Sequence, residues 1–348
     1  MKYLLQTTLK CNLLNHSLLF LFIGLLPFIM NAQDFSQLYS KLNPSVVTIL
    51  TGETVFSKGA VSKGSGLGSG VIIDKEGLIM TAAHVVASAE KIVVKFYNNE
   101  MIEAEVISSV AGTDVALIKL KSIPKNMPVA EMGNSDLVKI GEQILIIGAP
   151  FGLEHSLSIG HISAKQQRGE IISGQKMEFF QTDAAINTGN SGGPIFNVDG
   201  KVIGIVSSIL TKSGGFDGIG FAAAINPTKK ILLESSPFWT GFEGLFFKER
   251  LAQVFNVPAK GGMLVQRVVH NSMAEKAGLK GGWLKATILG QEIWVGGDII
   301  LSVEQISCNS PHNFQSIKTQ IEKLSTNENI HMTVLRAGKI HELTMEFK

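Results

Sequence analysis

The chain has 348 residues, a formal net charge of +2 and 45% hydrophobic residues. This length predicts two folded domains, and 36 glycines with 7% aromatic residues favour turn-rich β structure over helical bundles. The small net charge, with no block of like charges, argues against nucleic acid or an acidic protein surface as a partner.

Residues 1–32 have the features of a signal peptide. A weakly basic start precedes an apolar run from Leu18 to Met30. A run of about 13 residues is shorter than the roughly 20 that a helix needs to cross a membrane. Cleavage after Ala32 would give an exported protein, and the alternative is an uncleaved N-terminal membrane anchor.

The sequence predicts no cofactor and no metal site. Its 8 histidines are scattered, and Cys11 and Cys308 do not have the spacing of a zinc-ligand pair. Loss of a signal peptide would leave Cys308 as the remaining cysteine, so we expect no internal disulfide and interpret Cys308 as a core residue.

Short apolar runs alternate with turn residues between residues 36 and 226. About a dozen short strands at this spacing predict an all-β barrel or sandwich. By contrast, the Gly/Ser/Lys-rich stretch from Phe56 to Ser69 lacks periodicity and predicts a mobile loop. The apolar runs that predict strands include Ser45–Leu50, Gly70–Ile73, Leu78–Thr81, Lys91–Phe96, Ala104–Ile107, Val115–Leu120, Gln143–Ile147 and Lys201–Val206.

Three residues that could form a nucleophilic site follow one another along this region. His84 follows a predicted strand, Asp114 precedes another, and Ser191 lies among glycines that allow a sharp turn and close approach of a ligand. Each has an ordinary alternative: a structural histidine, a turn or capping aspartate, and a tight hairpin. Together, at strand–turn junctions, they favour a Ser-His-Asp triad.

The motifs around these residues resemble known signatures. Three are similar to those of the chymotrypsin-fold serine proteases, namely Thr81-Ala82-Ala83-His84, Asp114-Val115-Ala116-Leu117 and Gly189-Asn190-Ser191-Gly192-Gly193-Pro194. Others narrow the resemblance to the HtrA/Deg family, namely Gly133-Asn134-Ser135-Asp136, Ile147-Gly148-Ala149-Pro150-Phe151-Gly152, Thr182-Asp183-Ala184-Ala185-Ile186-Asn187 and Gly218-Ile219-Gly220-Phe221-Ala222. The resemblance covers nearly all of residues 36–348.

The resemblance implies a mainly β fold, with a chymotrypsin-like double β-barrel protease domain followed by a small α+β PDZ domain. We therefore expect a protease domain at residues 33–225, a linker helix at 226–240 and a PDZ domain at 241–348. The stretch from Lys280 to Trp294 resembles an insertion found in plant-type Deg proteases.

The resemblance also implies the roles of the site residues. Ser191 would be the nucleophile, His84 the general base and Asp114 the residue that orients it. Gly189, Asn190 and Ser191 would form the oxyanion hole, with the backbone N–H groups of Gly189 and Ser191 as donors.

Substrate preference follows from the residues that match the family's specificity pocket. Ala185 stands where trypsin-like relatives have an acid, and Ile186 and Leu210 match positions that line a small apolar pocket. We expect cleavage after small aliphatic residues with loose discrimination. The alternative is that Ile186 and Leu210 are core residues.

Two features depart from the family or stay open. His161 stands where the family usually has an aliphatic residue, and we interpret it as a strand variant. The stretches from Gln166 to Phe180 and from Leu210 to Gly218 match loops that order the oxyanion hole on activation.

In the PDZ domain, Gly244, Leu245 and Phe246 match the loop that captures a peptide's C-terminal carboxylate, so we expect an extended peptide to add a strand there. The facing helix is predicted from Asn313 to Leu324, with Ile317 at the edge of the peptide groove.

The function implied is an ATP-independent serine endopeptidase that degrades misfolded or unfolded proteins for quality control in the cell envelope. Its expected partners are unfolded polypeptides, C-terminal peptides and further copies of the chain in a trimer or a multiple of trimers. The alternatives are a catalytically silent chaperone or scaffold on the same fold and a PDZ peptide-binding adaptor.

Overall fold

The computed structural model describes residues 34–57, 60–87, 89–110, 112–170, 176–209, 215–234, 239–258, 260–270, 272–288, 291–321, 323–324 and 328–346. The predicted signal peptide therefore lies outside the described residues. Residues 39–348 form one compact unit. Among the described residues, no helix is long and apolar enough to cross a membrane.

The first half of the chain folds into a closed barrel of antiparallel strands. These are β1 (Val46–Ser57), β2 (Ala60–Ile72), β3 (Leu78–Thr81), β4 (Lys91–Lys95), β5 (Met101–Val110) and β6 (Val115–Leu120). Their order around the barrel is β1-β2-β3-β6-β5-β4. Alternate apolar side chains point inward, and Ile49, Ile72, Ile79, Val94 and Ile118 form part of a fully enclosed core.

The prediction that the stretch from Phe56 to Ser69 is a loop is wrong. The structure places most of this stretch in β1 and β2, which pair as a hairpin with Phe56 opposite Val61 and Ser57 opposite Ala60. Strand pairing uses backbone N–H and C=O groups, so a Gly- and Ser-rich segment can join a sheet without the apolar alternation by which strands are usually predicted.

The second barrel follows directly. Its strands are β7 (Glu131–Met132), β8 (Gln143–Gly148), β9 (Ser156–Glu170), β10 (Lys176–Thr182), β11 (Pro194–Asn197), β12 (Lys201–Ile209) and β13 (Gly220–Ala224). The order β11-β8-β9-β10-β13-β12 closes through pairing of β11 with β12, and β7 adds parallel to β12. The double barrel predicted from the sequence is confirmed.

In the second barrel, one predicted loop is mostly strand. Much of the predicted loop from Gln166 to Phe180 belongs to β9 and β10, which pair along their length. Residues 171–175, like residues 210–214 of the other predicted loop, lie outside the described residues.

Helices are short and lie mainly between strands. They are α1 (Ser36–Leu42), α2 (Ala83–Val86), α3 (Ile225–Lys229), α4 (Arg250–Val254), α5 (Met273–Lys276) and α6 (Pro311–Ile321), with 3₁₀ turns at Asn43–Ser45, Ser135–Leu137 and Pro150–Gly152 and a π-helix at Lys230–Glu234. The predicted linker helix thus corresponds to α3 and the π-helix. Helix α6 begins at Pro311, a residue suited to a first helical position, and ends three residues before the predicted Leu324.

The C-terminal part is a sheet with α6 packed against it. Its strands are β14 (Phe242–Lys248), β15 (Gly261–Val268), β18 (Ile299–Val303), β19 (Ile306–Ser307), β20 (Asn329–Arg336) and β21 (Lys339–Glu346). The order is β14-β15-β18-β20-β21, and β19 pairs with β18. A separate hairpin, β16 (Leu284–Ile288) with β17 (Gln291–Val295), occupies the predicted insertion. Cys308 is buried in this core, and burial raises the pKa of its thiol to about 12.

A buried ion pair lies within the C-terminal sheet. The Asp298 side chain is 1% exposed, and its oxygens accept from Arg336 Nε at 2.6 Å and Arg336 Nη2 at 2.7 Å. The backbone N–H of Lys280 donates to the same carboxylate, and Arg336 Nη2 also donates to the carbonyl of Gly278. Removing one partner would leave a buried charge uncompensated.

Substitution Arg336→Met should lower the free energy of unfolding of the C-terminal sheet by about 3 kcal/mol, the lower end for a buried pair because the guanidinium is partly exposed. Of the chain's 3 tryptophans, Trp294 lies on β17, where its backbone N–H and carbonyl both bond to the Gln266 side chain of β15, so tryptophan fluorescence in a urea titration reports on this sheet. Lys285→Met, which breaks an exposed pair with Glu292, is the control and should cost under about 1 kcal/mol. Equal shifts in the two variants would contradict the prediction.

Candidate active site

Asp114 lies directly before β6, where the first barrel turns. Its backbone φ is 53°, in the left-handed region, which aspartate tolerates better than most residues. The side chain is 21% exposed. Its carboxylate accepts hydrogen bonds from the ring and the backbone of His84 and from the hydroxyl of Ser207, so this charge is held by donors on three sides.

His84 lies on α2, the short helix that follows β3. Its Nδ1 is 2.8 Å and 2.9 Å from the two carboxylate oxygens of Asp114, and its backbone N–H donates to Asp114 Oδ1 at 3.1 Å. Because an ionised carboxylate only accepts, Nδ1 carries the proton and Nε2 is left to accept one. The side chain is 50% exposed, which gives a ligand access to it.

The pKa values of the pair move in opposite directions. Burial by itself would lower the pKa of His84, but the hydrogen bond and charge of Asp114, with a smaller effect of the Glu243 charge, raise it overall. Burial by itself would raise the pKa of Asp114, but the hydrogen bond and charge of His84 and the Ser207 hydroxyl lower it overall. Asp114 is therefore ionised, and His84 holds its second proton more tightly than a free imidazole.

Ser207, on β12, is a site residue that the sequence reasoning missed. Its hydroxyl donates to Asp114 Oδ2 at 2.5 Å, and its side chain is buried. The signal in the sequence was a pair of polar residues, Ser207 and Ser208, within the apolar strand β12.

Ser191 lies in the loop that joins β10 to β11, in the second barrel. Its Oγ donates to the carbonyl of Ser207 at 3.4 Å. No hydrogen bond joins it to His84 among the described residues. Its carbonyl accepts from the backbone N–H of Ser69 at 2.8 Å, a contact between β2 of the first barrel and the serine loop of the second.

A glycine follows Ser191 because there is no room for a side chain at position 192. Its φ is 82°, and a Cβ there would lie 2.1 Å from Thr81 Oγ1 and 2.3 Å from the carbonyl oxygen of Ser69. Any side chain would force the two barrels apart at this point.

The predicted oxyanion-hole residues form a turn whose carbonyl groups are occupied. The carbonyl of Thr188 accepts from the N–H of Phe151 at 2.7 Å, and that of Gly189 accepts from the hydroxyl of Ser69 at 2.7 Å. Asn190 donates its own N–H to the carbonyl of Asn187 at 2.9 Å. Within the described part of the chain, the N–H groups of Gly189 and Ser191 have no acceptor, so these two can receive a ligand oxygen while that of Asn190 cannot.

The predicted specificity residues are placed only in part. Ile186 is 2% exposed and belongs to the core of the second barrel, where its Cδ1 lies close to Gly220. Leu210 lies outside the described residues.

The predicted carboxylate loop, Gly244, Leu245 and Phe246, lies on β14, which pairs with β15 along one side only among the described strands. Ile317 of α6 is 3% exposed and lies in the core rather than at a groove edge. His161 is exposed on β9, and its backbone N–H and ring both approach Asp183 rather than His84, Asp114 or Ser191.

No group of three or more His, Cys, Asp or Glu side chains in the described ranges could hold a metal ion. The His84 imidazole contacts the Asp114 carboxylate, and Ser207 contacts both this carboxylate and the Ser191 hydroxyl, which has two unoccupied backbone N–H groups in its own loop. This set can support nucleophilic attack on a carbonyl and hold the resulting negative oxygen.

The chain is similar to trypsin-like peptidases and to periplasmic serine endoproteases. The family described as trypsin-like peptidase domain matches residues 68–205. A probable periplasmic serine endoprotease DegP-like from Marinomonas sp. (strain MWYL1) is 33% identical over 330 residues, covering 83% of this chain and 70% of the relative. The protein of the same description from Pseudomonas fulva (strain 12-X) is 38% identical over 258 residues, covering 72% of this chain and 53% of that relative. The chain thus spans about half the length of several curated relatives.

Solved structures of HtrA-type proteases are also similar to this chain. The HtrA-type protease AlgW with a decapeptide has a TM-score of 0.52 at 28% identity, covering 90% of this chain and 98% of that chain. AlgW with a tripeptide has a TM-score of 0.50 at 30% identity, covering 90% and 96%. With two closed barrels and the His84, Asp114 and Ser191 motifs on them, this chain belongs to the HtrA/DegP-like family of trypsin-like serine endoproteases.

Proposed function

We propose that the chain is an exported, periplasmic serine endopeptidase that degrades misfolded or unfolded polypeptides without ATP. The observation that carries the proposal is the His84–Asp114 pair, with Nδ1 at 2.8 Å from the carboxylate, in a chain of this endoprotease family. The periplasmic assignment rests on the names of the relatives and on the predicted signal peptide.

The proposed reaction begins with Ser191. Rotation of its side chain away from the Ser207 carbonyl would bring Oγ to His84 Nε2, which takes the hydroxyl proton as Oγ attacks the scissile carbonyl. Asp114 keeps the imidazole in the required tautomer and stabilises its positive charge. The protonated His84 then donates to the leaving amine, and an acyl-enzyme forms. In the second half of the reaction His84 takes a proton from water as the water oxygen attacks the acyl carbon, and then returns the proton to Ser191 Oγ as the ester bond breaks.

Stabilisation of the tetrahedral intermediate would come from the serine loop. The N–H groups of Gly189 and Ser191, which have no acceptor in the described part of the chain, would both donate to the oxyanion. Each such donor is typically worth about 3–4 kcal/mol of transition-state stabilisation.

Substrate selection would be loose. Ala185 offers no charge to pair with a basic side chain, and the apolar Ile186 side chain lies beside Gly220. A small apolar pocket separates side chains that differ by one methylene by only about 1–3 kcal/mol. Exposed apolar segments of unfolded chains, cut after small aliphatic residues, are the substrates this favours.

The C-terminal part would be a PDZ domain, at residues 241–348, that regulates the protease. Strand β14 leaves one side open among the described strands, and Phe242 and Phe246 pack in the same apolar cluster as Ile317 and Ile321 of α6. An extended peptide could therefore add beside β14 with its carboxylate at the loop of Gly244, Leu245 and Phe246. Assembly into trimers, or multiples of them, is proposed from the family resemblance.

Substitution Ser191→Ala should abolish casein degradation, with kcat for a peptide substrate reduced on the order of a million-fold, because the nucleophile is lost. Ser156→Ala, which changes a half-buried serine at the start of β9 whose hydroxyl donates to the Leu153 carbonyl, is the control and should keep full activity. An inactive wild type would favour a silent chaperone or scaffold on the same fold. Unchanged activity of Ser191→Ala would contradict the mechanism.

Activity should fall as the pH is lowered through a midpoint above about 6.5, the ordinary histidine value. The sign follows because His84 must be neutral to accept the Ser191 proton, and its raised pKa keeps it protonated to higher pH. The measurement is kcat/KM against pH, with circular dichroism to show that the fold is kept.

Asp114→Asn tests the cause of this shift. Loss of the charge should move the midpoint downward and lower kcat by about 10⁴-fold. A wild-type midpoint at or below 6.5, or an unchanged midpoint in Asp114→Asn, would contradict the assignment of Asp114 as the group that raises the pKa of His84.

Peptide binding can be tested on the uncleaving Ser191→Ala chain. A fluorescent peptide with a free, apolar C-terminal residue should bind at least about 10-fold more tightly than the same peptide with an amidated C-terminus, a difference of about 1.4 kcal/mol. Fluorescence anisotropy measures both. Equal affinities would contradict carboxylate capture at Gly244 to Phe246.

A further inference from the structure

Ser69 is a fully buried polar residue of β2 whose hydrogen bonds reach the serine loop. Its hydroxyl donates to the carbonyl of Gly189 at 2.7 Å and accepts from the N–H of Ala149 at 3.0 Å. Its backbone N–H donates to the carbonyl of Ser191 at 2.8 Å. A buried hydroxyl without partners would be costly, and here its donor and an acceptor position are both used.

These contacts fix the orientation of the peptide groups on both sides of Gly189. In a trans peptide the C=O and N–H groups point in opposite directions. The carbonyl of Thr188 accepts from the N–H of Phe151, so the N–H of Gly189, in the same peptide group, points away from Phe151. The carbonyl of Gly189 is held by Ser69, so the next N–H, that of Asn190, points away from Ser69 and is taken by Asn187.

Gly189 has no side chain to restrict its backbone, so its peptide groups could rotate to other orientations. Its φ is 105°, which other residues rarely adopt, and a Cβ there would lie 2.0 Å from the Ala149 carbonyl oxygen. A glycine has low barriers between backbone conformations, so its peptide groups keep one orientation only where neighbours hold them. The Ser69 hydroxyl is such a neighbour, and it comes from the other barrel.

We propose that Ser69 is a positioning residue for the oxyanion hole: its hydroxyl holds the peptide group between Gly189 and Asn190, which links the two proposed donors, the N–H groups of Gly189 and Ser191. The proposal rests on the proposed protease function. Ser69 does not touch the substrate, so its removal should weaken binding of the transition state far more than binding of the substrate.

The surroundings of Ser69 favour this role over simple filling of space. A Cβ on Gly148 would lie 3.0 Å from Ser69 Oγ and 2.7 Å from Asn190 Oδ1, so the backbone approaches the hydroxyl closely from the second barrel. Ala149, whose N–H binds the hydroxyl, precedes the 3₁₀ turn whose Phe151 holds Thr188. The hydroxyl therefore joins both segments that determine the peptide orientation at Gly189.

The experiment compares Ser69→Ala with wild type on a peptide substrate with an aliphatic residue before the cleaved bond. We expect kcat to fall about 10- to 100-fold, at or below the effect of losing an oxyanion donor outright, while KM changes less than about threefold. A peptide aldehyde, whose carbonyl carbon bonds to Ser191 Oγ in a tetrahedral adduct, should lose affinity by about the same factor as kcat/KM. Ser69→Cys keeps a weaker hydrogen-bond donor at this position, so its kcat and its aldehyde affinity should lie between those of wild type and of Ser69→Ala.

Ser45→Ala is the matched control, because Ser45 is also buried and donates to a backbone carbonyl, that of Leu42, at 2.7 Å. It should keep wild-type kcat and aldehyde affinity. If Ser69→Ala does not fold, Ser69→Cys carries the same comparison.

Three results would overturn the proposal: unchanged kcat in the Ser69 variants, an equal loss in Ser45→Ala, or a loss that appears in KM without any change in aldehyde affinity. Failure of the proposed function is recognised separately. In that case the wild type itself neither hydrolyses the peptide nor binds the aldehyde, and both proposals fall together.

Discussion

The hydrogen bond from the Ser69 N–H to the Ser191 carbonyl ties the serine loop of the second barrel to a strand of the first. The other two members of the site, His84 and Asp114, lie on the first barrel, before and after strands of its closed sheet. A site divided in this way works only when the two barrels keep a fixed relative position, because a misplacement of about 1 Å can cost about 100-fold in rate. The contacts of the site that join the two barrels, such as that of Ser207 with Asp114, therefore depend on this junction.

The close approach of the two barrels explains more of the glycine pattern than the turn at the nucleophile does. Gly192 has no room for a side chain because the Thr81 hydroxyl and the Ser69 carbonyl occupy the space. Thr81 itself is held in place, since its hydroxyl donates to that same carbonyl at 2.8 Å. The glycines beside Ser191 thus serve two constraints at once, the conformation of the loop and the packing of one barrel on the other.

Local patterns predicted the strands with apolar alternation, and they predicted His84, Asp114 and Ser191 as a set, because each of these lies in a short motif that can be read by itself. The hairpin of β1 and β2 was missed because backbone pairing leaves no apolar pattern in a Gly- and Ser-rich segment. Ser69 and Ser207 were missed for another reason. Their partners lie 120 and 93 residues away, and the value of a hydroxyl at such a position appears only when the fold brings them together.

The exposures of the pair show why the carboxylate needs its own supporting donors. A base that meets a substrate has to be accessible, and the His84 side chain is half exposed, yet burial of its remaining surface works against the charged form that it must adopt during the reaction. The Asp114 carboxylate in contact with the ring supplies most of the effect that reverses this. That anion, Asp114, is itself mostly buried and would tend to take up a proton if it were alone. The Ser207 hydroxyl and the His84 N–H satisfy its oxygens, so the basicity of His84 depends on residues that never meet the substrate.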